Sequence, residues 1–93
     1  MRTIEPTSTF KRDFKREARG RHARILQSEF PALLQLLAAD QPLEARFRDH
    51  SLAGEWKDHR DCHLRPDLVL IYRKPDSETL QLVRLGSHSE LSL

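Results

Sequence analysis

Hydrophobic residues recur at helical spacing in the first half of the chain and at strand spacing in the second half. Apolar side chains every four residues predict a first helix, capped by one of the hydroxyl residues at positions 7–9 and ending near Gly20. The apolar members of this helix are Phe10, Phe14 and Ala18. Ahead of it, positions 2–5 can form a short strand that Pro6 ends.

A second helix is predicted from a further row of apolar side chains on one side. These side chains are Leu26, Phe30, Leu33, Leu34 and Leu37. Because proline is tolerated in the first turn of a helix, Pro31 indicates that this helix begins near Ser28, which would be its cap. A single longer helix that bends at Pro31 is the less favoured alternative. The stretch Asp40-Gln41-Pro42 ends the helix.

The period changes to that of strands after a polar connector, which holds Asp49 and His50. Residues 56–64 alternate, so His59, Asp61 and His63 should share one face of a strand. The apolar run 68–72 predicts a central strand covered on both faces. A turn at 75–78 then leads into a strand over 79–85. We therefore expect an α+β fold in which two N-terminal helices pack on a small, mostly antiparallel sheet.

Length and composition limit the class of protein. The chain has 93 residues, which predicts a single domain spanning 1–93. The lone Cys62 excludes an intramolecular disulfide and favours a reducing compartment. No apolar run reaches about 18 residues and no signal-like segment leads the chain, so we expect a cytoplasmic protein without a membrane partner.

Positive charge is concentrated on the first helix, although the net charge of the whole chain is only +2. We call five of these cations the basic band: Lys11, Arg12, Lys15, Arg16 and Arg19. Such a local excess favours a polyanion such as RNA through counterion release. Taken alone, a solvated helix face is the commoner explanation.

Chemically versatile side chains gather between positions 49 and 88. Cleaving RNA without a metal needs a base for the 2′-hydroxyl, an acid for the leaving oxygen and a cation for the phosphorane. This stretch supplies all three types of group. The candidates are His50, Trp56, Asp61, His63, Asp67, Arg84 and His88.

Three motifs in this stretch resemble the YafQ branch of the RelE/ParE toxin superfamily. They are Asp49-His50-x-Leu52-x-Gly54-x-Trp56, Cys62-His63-Leu64-x-Pro66-Asp67 and Arg84-x-Gly86-Ser87-His88. The resemblance implies a microbial RNase-like fold, ribosome-dependent mRNA cleavage in the A site of the 70S ribosome, and neutralisation by a cognate antitoxin of the ribbon-helix-helix type. Relatives often carry an aromatic residue at position 68 and another near the C-terminus. This chain has Leu68 and the ending Glu90–Leu93 instead, which could weaken base stacking worth ~1–3 kcal/mol per ring.

The resemblance and the chemistry together predict a catalytic role for each candidate residue. His88 would be the general acid, Arg84 would stabilise the phosphorane, Asp61 would support the histidines and Trp56 would shape the cleft. The base is one of His50, His63 and Asp67. The preferred arrangement has Asp67 orienting His63 or helping to abstract the proton, with His50 near the 2′-hydroxyl. No cofactor or metal would be required.

Three alternatives compete with this interpretation. His59, Asp61 and His63 could instead bind a metal, with His50, Asp67 or His88 as a fourth ligand. A protein of this fold could also act on another target such as DNA gyrase, although that class lacks the histidine-rich centre. Finally, the chain could be a catalytically degraded, RNA-binding member.

Overall fold

Two helices pack on one face of a five-stranded sheet in a computed structural model that describes residues 1–93. The elements are β1 (Thr3–Pro6), α1 (Ser8–Ala18), α2 (Ala23–Ala38), β2 (His50–Ser51), β3 (Arg60–Arg65), β4 (Leu68–Arg73) and β5 (Thr79–Gly86). The strand order is β1-β5-β4-β3-β2, and every neighbouring pair is antiparallel except β1 with β5. The predicted α+β class and the mostly antiparallel sheet are confirmed. Neither helix has the length and apolar character needed to cross a membrane.

Helix α1 begins at the predicted hydroxyl cluster, because the Thr7 hydroxyl accepts a hydrogen bond of 3.0 Å from the N–H of Phe10. Its inward face differs from the prediction. Ala18 is exposed, whereas Asp13 is buried beside Phe10 and Phe14. Positions i, i+3 and i+4 share one side of a helix, so this face carries a carboxylate among its apolar side chains.

Helix α2 contradicts the predicted start at Ser28, because it runs from Ala23 with Pro31 in its interior. The Ser28 hydroxyl donates to the carbonyl of Arg24 and caps nothing. An interior proline costs about 3 kcal/mol, but Pro31 is exposed and the carbonyl it leaves unpaired, on Gln27, belongs to an exposed residue that water can reach. Burying each large apolar side chain of this helix returns about 1.5–3 kcal/mol, so packing outweighs the local penalty.

Strand β4 lies at the centre of the sheet and is covered on both faces, as predicted. Leu68, Leu70 and Tyr72 join the main core beneath the helices. Val69 and Ile71 point the other way, where the buried C-terminal Leu91 packs on them. Partly buried side chains complete this second cluster, and they are Leu52, Trp56 and Val83. The face opposite the helices is therefore partly closed by the C-terminal tail.

On the side of β5 away from β4, the half after Leu82 has no strand beside it, because β1 ends at Pro6. Helix α1 supplies the missing hydrogen bonds. Thr7 donates to carbonyl groups of β5 through both its N–H and its hydroxyl. The N–H of Leu85 donates to the Asp13 carboxylate at 3.0 Å, and Arg16 donates to the Leu85 carbonyl at 2.9 Å. The buried carboxylate thus locks α1 to the strand that leads into the His88 segment.

Strand β3 begins later than the alternation predicts. Residues Gly54–Trp56 form a 3₁₀ turn, and Asp58 adopts a left-handed φ of 69°, which breaks the extended backbone before Arg60. The polar connector is also more ordered than expected. His50 and Ser51 form β2, in which His50 pairs directly with Asp61.

Candidate active site

The sheet register places the central candidates on one face. His50, Asp61, Ile71 and Arg84 are opposite one another in consecutive strands, and directly paired residues point to the same side of a sheet. His63 occupies the neighbouring row, opposite Val69 and next to Gly86 on the far strand. Because Val69 and Ile71 face away from the helices, so do His50, Asp61 and His63, whereas the Arg84 guanidinium reaches Asp13 of α1.

Asp61 lies between two histidines. Its carboxylate is 3.0 Å from Nδ1 of His50 and 3.6 Å from Nε2 of His63. The His63 ring centroid lies 5.0 Å from that of His88 and 6.2 Å from that of His50. Two buried atoms of this group, Asp61 Oδ1 and His63 Nε2, form no hydrogen bond within the protein, because His50 Nδ1 is hydrogen-bonded to the Arg48 carbonyl at 2.8 Å and the separation of 3.6 Å from Asp61 is too long for His63. Unsatisfied buried polar atoms are rare, so they mark the cluster as a place prepared for a ligand.

The surroundings of His63 favour its neutral form. Burial lowers the pKa of His63 below its ordinary value, and the neighbouring Asp61 charge only partly opposes that effect. The positive charges that His88, His50 and Arg48 can carry lower the pKa further. A neutral imidazole with an unpartnered nitrogen can accept a proton at neutral pH.

His88 lies just beyond β5 in a turn fixed by its neighbours. Ser87 and Glu90 exchange hydrogen bonds, with the Ser87 N–H donating to Glu90 Oε1 at 2.9 Å and the Glu90 N–H donating to the Ser87 hydroxyl at 3.2 Å. Buried Leu91 anchors the following residues. The indole N–H of Trp56 donates to the Leu91 carbonyl at 3.4 Å, so Trp56 holds the tail and does not line the cleft beside His88.

Arg84 shares the face of the histidines, but its guanidinium is already engaged. It donates to Asp13 from Nε at 2.7 Å and from Nη2 at 3.3 Å. Burial opposes ionisation of Asp13, yet hydrogen bonds from Arg84 and the Leu85 N–H prevail and lower its pKa. Arg84 therefore has a fixed position with N–H groups to spare, separated from Asp61 across the sheet by Ile71.

Asp67 does not join the cluster. It lies in the turn between β3 and β4, where it pairs with Arg21 and, at 3.3 Å, with Nε2 of His22. The expectation that Asp67 orients His63 is wrong for this structure, because Asp61 is the carboxylate beside that ring. Asp61 and His63 of β3 face away from the helices, while Asp67 turns toward the connection between α1 and α2.

Sequence reasoning missed a cleft of about 290 Å³ that opens beside His63 and His88. Arg46, Arg48 and Arg65 line it, and none of its lining residues is acidic. A signal was present, since two of these arginines flank Phe47 immediately before the Asp49-His50 motif. We call this space, with its three arginines and two histidines, the arginine cleft.

The chain matches the family model described as a bacterial toxin of type II toxin-antitoxin system, YafQ, over residues 2–93. It is 37% identical over 91 residues to the mRNA interferase toxin YafQ of Escherichia coli K12, covering 98% of this chain and 96% of that protein. The crystal structure of YafQ from E. coli BL21(DE3) superposes with a TM-score of 0.83 at 32% identity, covering 98% of each chain. The chain belongs to the YafQ family of toxins. The resemblance carried by the three motifs is confirmed.

A metal-bound toxin from Helicobacter pylori has the same fold, with a TM-score of 0.80 and 42% identity over 98% of this chain and 99% of that one. In this YafQ-family chain, the donor atoms of His50, Asp61 and His63 all lie within 4.8 Å of one another. A tetrahedral ion needs donors about 3.4 Å apart, so small side-chain movements would let them hold one with a fourth position open. His59 is not part of this set, which corrects the predicted trio. Its ring packs edge-on against Trp56 at 5.3 Å.

The basic band of this YafQ-family chain divides in two. Lys11, Arg12, Lys15 and Arg19 are exposed and form no ion pair. Arg16 is different, because it contacts Asp13, Glu17 and Glu90 as well as the Leu85 carbonyl. Arg16 is therefore a structural link, and the expectation that it belongs to a free binding surface is wrong. Cys62 takes no part in the site, since it is fully buried on the helix side and burial raises its pKa.

Proposed function

We propose that this protein is an mRNA endoribonuclease that inhibits translation by cleaving ribosome-bound mRNA through acid–base catalysis. The observation that carries the proposal is the unpartnered, buried Nε2 of His63, held between Asp61 and the exposed ring of His88. A base and an acid on opposite sides of one phosphodiester are what metal-free RNA cleavage needs. The related E. coli mRNA interferase supports the substrate class.

His63 is the favoured base among His50, His63 and Asp67. It is neutral for the reasons given above, its Nε2 has no hydrogen-bond partner, and its side chain is part of the wall of the arginine cleft. His50 lies on the other side of Asp61 and is the second choice, placed to bind near the 2′-hydroxyl. Asp67 is the third, because its carboxylate is occupied by Arg21 and His22.

In the reaction the RNA gives one proton to the enzyme and receives one proton from it. The base removes the 2′-hydroxyl proton, the 2′-oxygen attacks phosphorus, and the bond from phosphorus to the 5′-oxygen breaks as His88 protonates that oxygen. Arg84 stabilises the extra negative charge of the phosphorane with N–H groups that Asp13 leaves free. The products are a 2′,3′-cyclic phosphate, which can open to a 3′-phosphate, and a 5′-hydroxyl.

The proposed partners follow from the family. The E. coli DinJ–YafQ complex, with a TM-score of 0.80 and 34% identity over 98% of both chains, is a structure of a relative with its partner, and a second structure of that complex is described as a toxin-antitoxin complex. A cognate antitoxin of the ribbon-helix-helix type would neutralise this toxin in the same manner. The 70S ribosome and mRNA would be its cytoplasmic targets. A gyrase-directed activity is disfavoured, because it gives the histidine cluster no task.

Replacing the proposed acid provides the test. We expect His88→Ala to lower single-turnover mRNA cleavage on programmed ribosomes by about 10²–10⁴-fold, which is the usual value of a positioned acid. Growth inhibition should disappear with it. His59→Ala is the matched control, since that histidine lies outside the cluster. A His88→Ala protein that keeps its circular dichroism spectrum and still cleaves at the parental rate would refute the assignment.

A further inference from the structure

The arginine cleft contains one cation that the fold does not use. Arg65 forms a two-point ion pair with Glu29, and Arg46 contacts Glu29 and Glu44. Arg48 forms no ion pair, and its guanidinium donates no hydrogen bond within the protein. Its five N–H donors are available to a ligand in the cleft.

The backbone of Arg48 is held in an unfavourable conformation. Its φ of 48° and ψ of 44° are left-handed, a region that residues with a Cβ rarely adopt. Two hydrogen bonds maintain it. The Arg48 N–H donates to the Ala45 carbonyl at 3.0 Å, and the Arg48 carbonyl lies 2.8 Å from Nδ1 of His50. Strained backbone of this kind is concentrated at functional sites.

The chemistry of the cleft selects an anion. Its wall contains three arginines and two histidines with no carboxylate, and one of these histidines, His63, has a buried Nε2 without a partner. Arginine binds phosphate through several N–H groups at once, and the negative charge of a phosphate complements a wall of arginines without a carboxylate. An RNA strand lying across His63 and His88 would place a second phosphate within the same cleft.

We propose that Arg48 binds the phosphodiester next to the scissile one and thereby holds the RNA in register with His63 and His88. This deepens the proposed function, on which it rests, by adding a backbone-binding subsite outside the catalytic group. The contact carries no base information, so it acts on affinity for every sequence alike.

The test uses the full chain and a non-cleavable RNA trinucleotide with 2′-O-methyl riboses, titrated to millimolar concentration by NMR. Each phosphate is replaced in turn by an uncharged methylphosphonate. We expect one replacement to weaken binding to the wild type about ten-fold, as expected for loss of a charge-assisted hydrogen bond. Arg48→Gln should cause the same loss with unmodified RNA and no further loss with that methylphosphonate.

Two further variants separate binding from folding. Arg48→Gly removes the strain of the left-handed backbone, so we expect a higher Tm. Its RNA affinity should nevertheless fall about ten-fold, so stability and binding should change in opposite directions. Arg24→Gln is the matched control, because Arg24 is an exposed arginine without an ion pair outside the cleft. It should leave RNA affinity unchanged.

The proposal is overturned if the loss of RNA affinity caused by Arg48→Gln adds to the loss caused by every methylphosphonate. It is also overturned if both Arg48 variants bind RNA as tightly as the wild type, or if the wild type binds no RNA at millimolar concentration. Failure of the proposed function would look different. It would appear as absent cleavage by the wild type on programmed ribosomes, whatever the outcome of the methylphosphonate cycle.

Discussion

Asp61 is the residue on which the histidine cluster depends. Its carboxylate is almost fully buried, and its two neighbours are imidazoles rather than permanent cations. A buried carboxylate next to His63 stabilises the imidazolium that forms when the ring accepts a proton. We therefore propose that Asp61, on the same strand as His63, provides the assistance expected of Asp67.

The acid limb of the pH–rate profile should report His63. Its pKa is lowered by burial, so we expect activity to persist below pH 6.5 and to fall only as the ring becomes protonated. Asp61→Asn removes the charge that raises this pKa, so the limb should move to still lower pH. NMR titration of the His63 ring checks the assignment. A limb that stays in place, or moves to higher pH, would show that another group is the base.

The lowered pKa of His63 also makes the stability of the fold depend on pH. A histidine whose folded pKa lies below its unfolded value near 6.5 binds fewer protons when folded. It therefore contributes stability that is fully present above pH 6.5 and is lost as the pH falls toward the folded pKa. Acid unfolding of His63→Gln should accordingly lose part of the pH dependence that the wild type shows over this range.

At the scale of elements, α1 is the support of β5 and of the turn that follows it. Asp13, Arg16 and Glu90 form a chain of contacts from the helix to the tail, and Glu90 Oε2 lies 3.3 Å from Arg16 Nε. Gly86 lies within this chain, because a Cβ there would come within 2.9 Å of the Arg16 guanidinium and 3.0 Å of Glu90. The position of His88 is therefore determined by a helix distant in sequence.

Glu90 variants test this positioning. Glu90→Gln can still accept from the Ser87 N–H but loses its charge toward Arg16, whereas Glu90→Ala loses both contacts. We expect kcat to fall with Ala far more than with Gln, by up to about 10²-fold, since small misplacements of a catalytic group have effects of that size. RNA affinity should hold. Equal losses in both variants, or a loss confined to KM, would contradict a positioning role.

The helices and strands also show how much of the fold can be predicted from the sequence. Local signals predicted β4, β5 and a helix cap among the hydroxyl residues at positions 7–9, of which the structure uses Thr7. They failed at Pro31 and at β2, since exposure of the proline and pairing with β3 arise only after the chain is folded. Asp13 was detectable, as it lies three residues after Phe10 on the apolar side, but its partners on β5 were not. The sequence motifs identified the residues of the histidine cluster, whereas their geometry became known only from the strand register of the sheet.

For the whole molecule, the first question is whether mRNA cleavage depends on a bound metal ion. The donors His50, Asp61 and His63 could hold an ion, yet the same atoms suffice for acid–base work. We expect mRNA cleavage on programmed ribosomes to survive EDTA at concentrations that leave the ribosomes intact. Stoichiometric zinc or copper in the purified protein, with activity lost on removal and restored on addition, would instead favour a metal-dependent mechanism.

Two members of the basic band, Lys11 and Lys15, lie on the helix side of the sheet, whereas the histidine cluster lies on the opposite face. Lys11 and Lys15 flank an apolar groove of about 390 Å³ between the helices and β5, so both rRNA phosphates and an antitoxin are candidate partners for this surface. Phosphate contacts contribute affinity that depends on salt and carry no sequence information. Binding through the band and the choice of codon should therefore be separable.

Charge reversal decides between the two partners. We expect Lys11→Glu with Lys15→Glu to weaken ribosome binding and its salt dependence while leaving codon preference unchanged, and Arg19→Glu to add to the loss. Arg24→Glu with Lys57→Glu carries the same change in net charge at exposed positions outside the band and should have little effect. Filter binding to ribosomes and mapping of cleavage sites measure both properties. If ribosome affinity were unchanged but antitoxin affinity fell, the band would serve neutralisation, because the altered charges would then matter only to the partner that covers the groove.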